Sequence, residues 1–420
     1  MNHFEKVIGY EHIKLELERI IDVINNKEKY EKLGVRIPKG LLLHGRPGLG
    51  KSLTAKSLVE ALNVNKYIIR KNMPDGQFVN YLREIITKAM ENTPSAILLD
   101  DIDKFSNNDD EHPNSDEFIV IQTLIDDAKD KDVYFIATAN NLRDMPESLL
   151  RAGRFDTRIE FDNPSVEDSK LIIKHYLKDK KLANDIDYEE IAKIISGKSC
   201  AVLETVMNEA GLYAGFHNKS EIGMDDIIEA LLRVIFDSPM KLNDKTDYAN
   251  KIAAYHEAGH ALVSEILEPN SVNLVTIANY AGDKGGITSS NMDEDYWYDI
   301  NKMENRVRVL LAGKAAIDLV FNKLDVGTMS DLARVNQMVS RFIYCYGMDE
   351  MLSNERYDGA ISDKQWSICD TLINNKIKKY YQEAKDILYK NKEKLEKLSL
   401  MLMEKKILRH KDIASVLEKQ

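Results

Sequence analysis

Cysteine is scarce in this chain of 420 residues: Cys200, Cys345 and Cys369 are the whole complement. Three scattered thiols cannot staple a disulfide framework or supply a Cys-based zinc ribbon, so the sequence reads as one made for a reducing compartment. Long apolar runs are missing too. A spanning helix needs about 18 or more consecutive apolar residues, and runs such as Gly40–Leu43 and Val133–Ala139 fall well short. The opening MNHFEKVIGYEHIK has no apolar h-region and does not read as a signal peptide. Positive charge is in deficit, with 58 Lys and Arg against 69 Asp and Glu, a net of −11, and no long basic tract. Nucleic acid or an anionic membrane surface as the main partner would require local basic patches. The expectation is a soluble, cytoplasmic protein without a membrane span.

What is present is ordinary globular material, 44% hydrophobic and 30% charged, with length for two to four domains. The first third alternates short apolar strands with helical stretches, the pattern of a parallel sheet covered by helices. Gly40–His44, Ala96–Leu99 and Val133–Ala137 read as buried strands, and their ends are where a doubly wound fold holds its ligand. From about Ser165 to Ile235 the apolar spacing turns helical, over Asp168–Leu177, Tyr188–Ile195, Ala201–His217 and Met224–Phe236. Polar, proline-containing Asp237–Asp247 is the expected linker. Beyond it come a helix around Lys251–Leu267, a β-region at Asn273–Ser289, and helices at Lys302–Phe321, Asp331–Tyr346 and Ser362–Glu404.

Gly45-Arg46-Pro47-Gly48-Leu49-Gly50-Lys51-Ser52 fits G-x-x-x-x-G-K-[ST] between an expected strand and an expected helix, Ser52–Leu62. The glycines let backbone N–H groups face phosphates, Lys51 brings charge to the β and γ groups, and the Ser52 hydroxyl can ligate Mg²⁺. A second acid for the metal comes at the end of the next apolar strand, in Asp100-Asp101-Ile102-Asp103. Asp100 is then the metal-side carboxylate and Asp101 the group that orients the attacking water. A second chemistry lies in His256-Glu257-Ala258-Gly259-His260, an H-E-x-x-H within an apolar-periodic helix. The spacing puts both imidazoles on one face, able to take one Zn²⁺, with Glu257 beside it as general base. A catalytic zinc needs a third protein ligand, and no third histidine follows closely.

Ile136–Asp156 (IATANNLRDMPESLLRAGRFD) resembles the second region of homology of AAA ATPases, and most of all that of the FtsH family of ATP-dependent proteases. The resemblance implies that Asn140 is the sensor of the γ-phosphate or attacking water, and that Arg151 and Arg154 are arginine fingers reaching a neighbouring subunit's nucleotide. A finger supplied in trans makes hydrolysis depend on assembly. Phe4–Gly9 and Leu33–Gly40 are similar to the family's lead into the P-loop, which implies that Ile8 and Gly9 hold the adenine. With Gly45, Pro47, Gly48, Leu49, Gly50, Lys51, Ser52, Leu53 and Asp100 they make up the implied nucleotide set. Leu310–Leu332 resembles the segment that carries the family's third zinc ligand, which makes that ligand Asp331. Asn273–Ser289 resembles the edge strand where an extended substrate adds.

The implied architecture is an α/β AAA ATPase subdomain over 1–163, a small helical lid over 164–236, a linker over 237–248 and a mostly α-helical zinc metallopeptidase domain over 249–420. The implied activity is ATP-dependent unfolding, translocation and cleavage of unfolded or damaged polypeptides by a homohexamer using Zn²⁺, ATP and Mg²⁺. This chain departs from the family at four places. Asp101 stands where the family has glutamate, which pulls the carboxylate back by about 1.5 Å, one C–C bond, so that either hydrolysis is slow or the loop compensates. Phe78-Val79 falls where the family has its aromatic pore pair but lacks the following glycine, so Phe78 is either a pore residue or a core residue of the helix holding Leu82–Ala89. Cys200 replaces a glycine of the lid, working against close backbone approach to the nucleotide there. The chain also begins almost at the ATPase, where the family carries membrane spans, and so reads either as a soluble member, which the short polar lead MNH favours, or as a sequence trimmed of its span.

Overall fold

The computed structural model describes residues 3–105, 116–236, 246–277, 286–290, 299–323, 326–348 and 363–417. Most of the expected linker, up to residue 245, lies outside them. The chain divides into two compact units, Met1–Ala230 and Leu231–Gln420.

Five short strands build the first unit: β1 (Gly40–Gly45), β2 (Asn65–Ile69), β3 (Ser95–Leu99), β4 (Val133–Ala139) and β5 (Thr157–Phe161). They form one parallel sheet in the order β2-β3-β4-β1-β5. Successive side chains of a strand point to opposite faces, so strands covered on both sides run apolar throughout. Leu42, Ile97, Leu99, Phe135 and Ala137 pack on one face with α4 (Asp75–Glu91) and α5 (Asp116–Asp127). Leu41, Leu43, Leu98, Tyr134 and Ile136 pack on the other with α1 (Glu11–Asn25) and α3 (Lys51–Ala61); a short α2 (Lys27–Glu31) follows α1.

Phe78, in the first turn of α4, is fully buried and meets Phe105 edge to face with centroids 4.9 Å apart. Of its two readings, the core residue is the one present here.

Four helices complete this stretch: α6 (Val166–Leu177), α7 (Tyr188–Ile194), α8 (Cys200–Phe216) and α9 (Met224–Phe236), the last running into the second unit. Side-chain caps fix where α6 and α7 begin: Ser165 accepts from Asp168 N, and Asp187 from Glu189 N and Glu190 N. The start of α8 lies against the P-loop, with Ala201 N donating to Gly48 O at 3.0 Å. The Cys200 Sγ turns to Tyr10 Oη, 3.5 Å away.

The second unit is built on α10 (Asp247–Leu267), in which Ala253–Glu265 are all buried. It begins earlier than the expected Lys251 because Thr246 caps it, accepting from Ala249 N. A helix covered all round needs partners on every side: here α11 (Ile300–Phe321), α13 (Asp363–Lys390), α14 (Lys392–Lys405) and a sheet of β6 (Val272–Thr276), β7 (Ile287–Ser290) and β8 (Ile407–Arg409). The sheet is antiparallel in the order β7-β6-β8, leaving β7 at an edge. The expected β-region at Asn273–Ser289 is thus two strands, with 278–285 outside the described residues.

α12 (Met329–Tyr344) packs on α11 and α13, and α15 (His410–Leu417) ends the unit. The single helix expected over Ser362–Glu404 is two helices. Asn391 interrupts it, its N–H bonding Leu388 O and its side chain Ile387 O, so the ladder stops there. Among the described residues no helix is long and apolar enough to cross a membrane.

Candidate functional site

Each unit carries one site. In the first, the expected residues gather at the carboxyl ends of adjacent strands. β1 runs into the P-loop, where Gly48 and Gly50 take φ of +79° and +88°, left-handed values that curl the backbone into the start of α3. Lys51 is 5% exposed, and its Nζ donates to Gly45 O and Arg46 O at 2.7 Å each and to Asn140 Oδ1 at 2.8 Å. Burial holds its ammonium below the ordinary lysine value, against the opposing pull of Asp101 and Asp103. Asn140 thus stands at the phosphate cradle, one residue beyond β4.

Asp100 follows β3 and is 2% exposed. Its Oδ1 accepts from Thr138 Oγ1 at 2.8 Å, and its Oδ2 from Arg70 Nε at 2.7 Å and from Arg70 Nη2. Burial pushes its carboxyl up, but hydrogen bonds from Ser52, Arg70 and Thr138 outweigh that and leave it below the usual carboxylate range. The hydroxyl and carboxylate that would hold Mg²⁺ are an oxygen-only donor pair that suits a hard cation. Asp101 has φ +59°; its backbone N–H is held by Thr138 Oγ1 at 2.8 Å and its carboxylate by Lys104 at 2.8 Å.

Leu49 is buried in the core, whereas Pro47 and Leu53 are exposed at the rim of the loop. Ile8 and Gly9 line a surface pocket of about 480 Å³ with Leu171 and His175 of α6. Arg151 is exposed, with no partner for its guanidinium among the described residues. Arg154 is engaged within the chain, donating to Asp126 Oδ2 at 2.7 Å and Ser148 O at 2.6 Å.

In the second unit His256 and His260 project from one face of α10, their Nε2 atoms 3.0 Å apart. Asp331, in the first turn of α12, brings Oδ2 to 3.4 Å from His256 Nε2 and 3.3 Å from His260 Nε2. A zinc ion with ligands at 2.0–2.1 Å spaces them about 3.3 Å apart along tetrahedral edges, so the triad fits the ion closely. His260 Nδ1 lies 2.7 Å from Val309 O, which can only accept; Nδ1 therefore carries a proton, and Nε2 is the nitrogen turned toward the triad. Burial pushes the Asp331 carboxyl up, but hydrogen bonds from His256 and His260 prevail and hold it far below its ordinary value.

Space beside these atoms depends on α11. A Cβ at Gly313 would come within 2.5 Å of His260 Nε2 and 2.7 Å of His256 Nε2. Glu257, 5% exposed, has Oε2 held by Thr288 Oγ1 of β7 at 2.8 Å.

The structure therefore brings Lys51, Ser52, Asp100, Asp101 and Asn140 together at one site and His256, His260, Glu257 and Asp331 at the other. Sequence reasoning missed Arg70, Thr138, Asp103 and Thr288. Thr138 braces Asp100 and Asp101 at once, while Asp103 Oδ2 accepts from Asn140 N at 3.0 Å. The signal for Thr138, Asp103 and Thr288 was their position inside the stretches already quoted, Ile136–Asp156, Asp100–Asp103 and Asn273–Ser289; Arg70 carried none.

Comparison with known proteins agrees with this geometry. Residues 41–163 match the model of the ATPase family associated with various cellular activities (AAA), and residues 244–416 match peptidase family M41. The chain is 30% identical over 432 residues to ATP-dependent zinc metalloprotease FtsH 2 of a Thermoanaerobacter species, covering 99% of this chain and 83% of that protein. It is 31% identical to ATP-dependent zinc metalloprotease FtsH 3 of Symbiobacterium thermophilum, with 99% and 71% covered. A third relative, ATP-dependent zinc metalloprotease FtsH of Ruminiclostridium cellulolyticum, is 30% identical, again with 99% and 71% covered. With a phosphate cradle in one unit, a His-His-Asp triad in the other and relatives matched over 99% of this chain, the chain belongs to the FtsH family.

Proposed function

We propose that this protein is an ATP-dependent zinc metalloprotease, which spends ATP at the P-loop to unfold and move polypeptides and cleaves their peptide bonds at the His256, His260 and Asp331 site. The observation that carries the reading is the spacing of those three ligand atoms, 3.0 to 3.4 Å. Bound zinc supplies Lewis acidity toward a water and the scissile carbonyl. Glu257 takes the proton of the attacking water and delivers it to the leaving amine, while Thr288 fixes the carboxylate's orientation. β7 is the edge to which an extended substrate adds as a further strand.

At the other site Lys51 and the loop N–H groups bind the phosphates, Ser52 and Asp100 hold Mg²⁺, Asp101 orients the water and Asn140 reads the γ-phosphate. Exposed Arg151 is the finger offered to a neighbouring subunit of a homohexamer; Arg154 serves there only by leaving Asp126. Free thiols at Cys200, Cys345 and Cys369 support a cytoplasmic location.

The test is degradation of an unfolded protein by the wild type and by Glu257→Gln and Lys51→Ala variants, with and without ATP. Glu257→Gln abolishes cleavage with ATP turnover unchanged, and Lys51→Ala abolishes turnover and ATP-dependent cleavage together. Cleavage that persists in Glu257→Gln refutes the peptidase assignment.

A further inference from the structure

Arg70 is the first residue beyond β2 and Asp100 the first beyond β3, and the register pairing Ile69 with Leu99 sets the two side by side at the carboxyl edge of the sheet. The Asp100 side chain is 1% exposed and that of Arg70 is 56% exposed. Oδ2 of Asp100 takes both Nε and Nη2 of Arg70, while Oδ1 takes Thr138 Oγ1, so each carboxylate oxygen is engaged.

A divalent cation that reaches Asp100 must release one of these partners. Thr138 is fully buried and also holds Asp101 N. Arg70 is the partner that can leave into water, where an exposed guanidinium is well solvated. It is also the one of the two that carries a full positive charge, so it repels the cation it faces.

We propose that Arg70 competes with the divalent cation for Asp100, so that the metal loads the nucleotide site only as Arg70 swings out. The inference rests on the reading of Asp100 as the metal-side carboxylate. Arg70 is a positioning residue: it acts through Asp100 and sets how much Mg²⁺ the site needs. By linkage the metal weakens the Arg70–Asp100 pair by the same factor as the pair weakens the metal.

Mn²⁺ binding to the full chain in the presence of ATPγS, followed by electron paramagnetic resonance, reads the competition without turnover. ATPγS affinity in EDTA is measured beside it. Arg70→Ala is expected to bind Mn²⁺ about three- to tenfold more tightly than the wild type, the range for losing one partly exposed ion pair. Arg70→Lys, which keeps the charge and loses the two-pronged grip, falls between them, and metal-free ATPγS affinity stays within about twofold in all three. Mn²⁺ affinity in Arg70→Ala that is unchanged or weaker overturns the proposal. So does weaker metal-free binding in that variant, which would make Arg70 a phosphate ligand instead. A wild type that binds no ATPγS under either condition overturns the nucleotide-site reading itself, and this inference with it.

Discussion

Phe78 packs between Phe105, edge to face, and Tyr81, and deleting it leaves a cavity. Phe78→Ala is expected to cost about 3–5 kcal/mol of stability in the first unit, read by urea unfolding. A pore residue would instead leave stability intact and stop degradation. Asp101 is the second residue whose length matters. Asp101→Glu restores a methylene, and ATP turnover is expected to rise about ten- to a hundredfold with KM little changed, since a misplacement near 1 Å costs that much; unchanged turnover would show that the φ of +59° already compensates. The residues legible in the sequence are those whose spacing is itself chemical: Lys51 after its glycines, and His256 and His260 one helical turn apart. Arg70 acts on a partner 30 positions away, reached only through strand register, and no local pattern encodes it; Thr138 and Thr288 lie inside quoted stretches, but their partners, 38 and 31 positions away, are set by tertiary packing.

Elements follow the same division. β1, β3 and β4 were legible because a strand buried on both faces is apolar at every position. β2 and β5 stand at the sheet's edges with burial alternating or absent, and their sequences NKYII and TRIEF show no such run. The break at Asn391 was hidden because the apolar spacing continues on both sides while a single side-chain bond ends the ladder. Between α11 and α13, Asp318 accepts from Lys385 Nζ at 2.6 Å and Tyr381 Oη at 2.9 Å, and these bonds, Lys385 first, hold its carboxyl below the usual range. A depressed carboxylate contributes stability above its unfolded value near 4 and loses it as pH falls through the folded value. Asp318→Asn is therefore expected to be about 0.5–1 kcal/mol less stable than the wild type at pH 7. The gap should close in acid, below pH ~4, in parallel urea titrations; a gap independent of pH would assign the loss to packing.

At the scale of the whole molecule, two compact units with separate ligands imply two separable responses. Calorimetry is expected to show one transition raised by ATPγS, by about 2.7 kcal/mol at a hundredfold excess over Kd, and another lowered by 1,10-phenanthroline. A single transition that answers both ligands alike would contradict this division. The second response has a cause beyond chemistry at the peptide bond. His256 and His260 lie on α10 and Asp331 on α12, separated by about 70 residues of chain, and the three ligand atoms meet at one point. An ion held there ties off that loop as a disulfide would, removing freedom from the unfolded chain on the order of 4 kcal/mol in the chain-entropy picture. Stripped of metal, the peptidase half loosens into the kind of polypeptide its loaded neighbours digest, so the ion that arms each copy also keeps it off the menu.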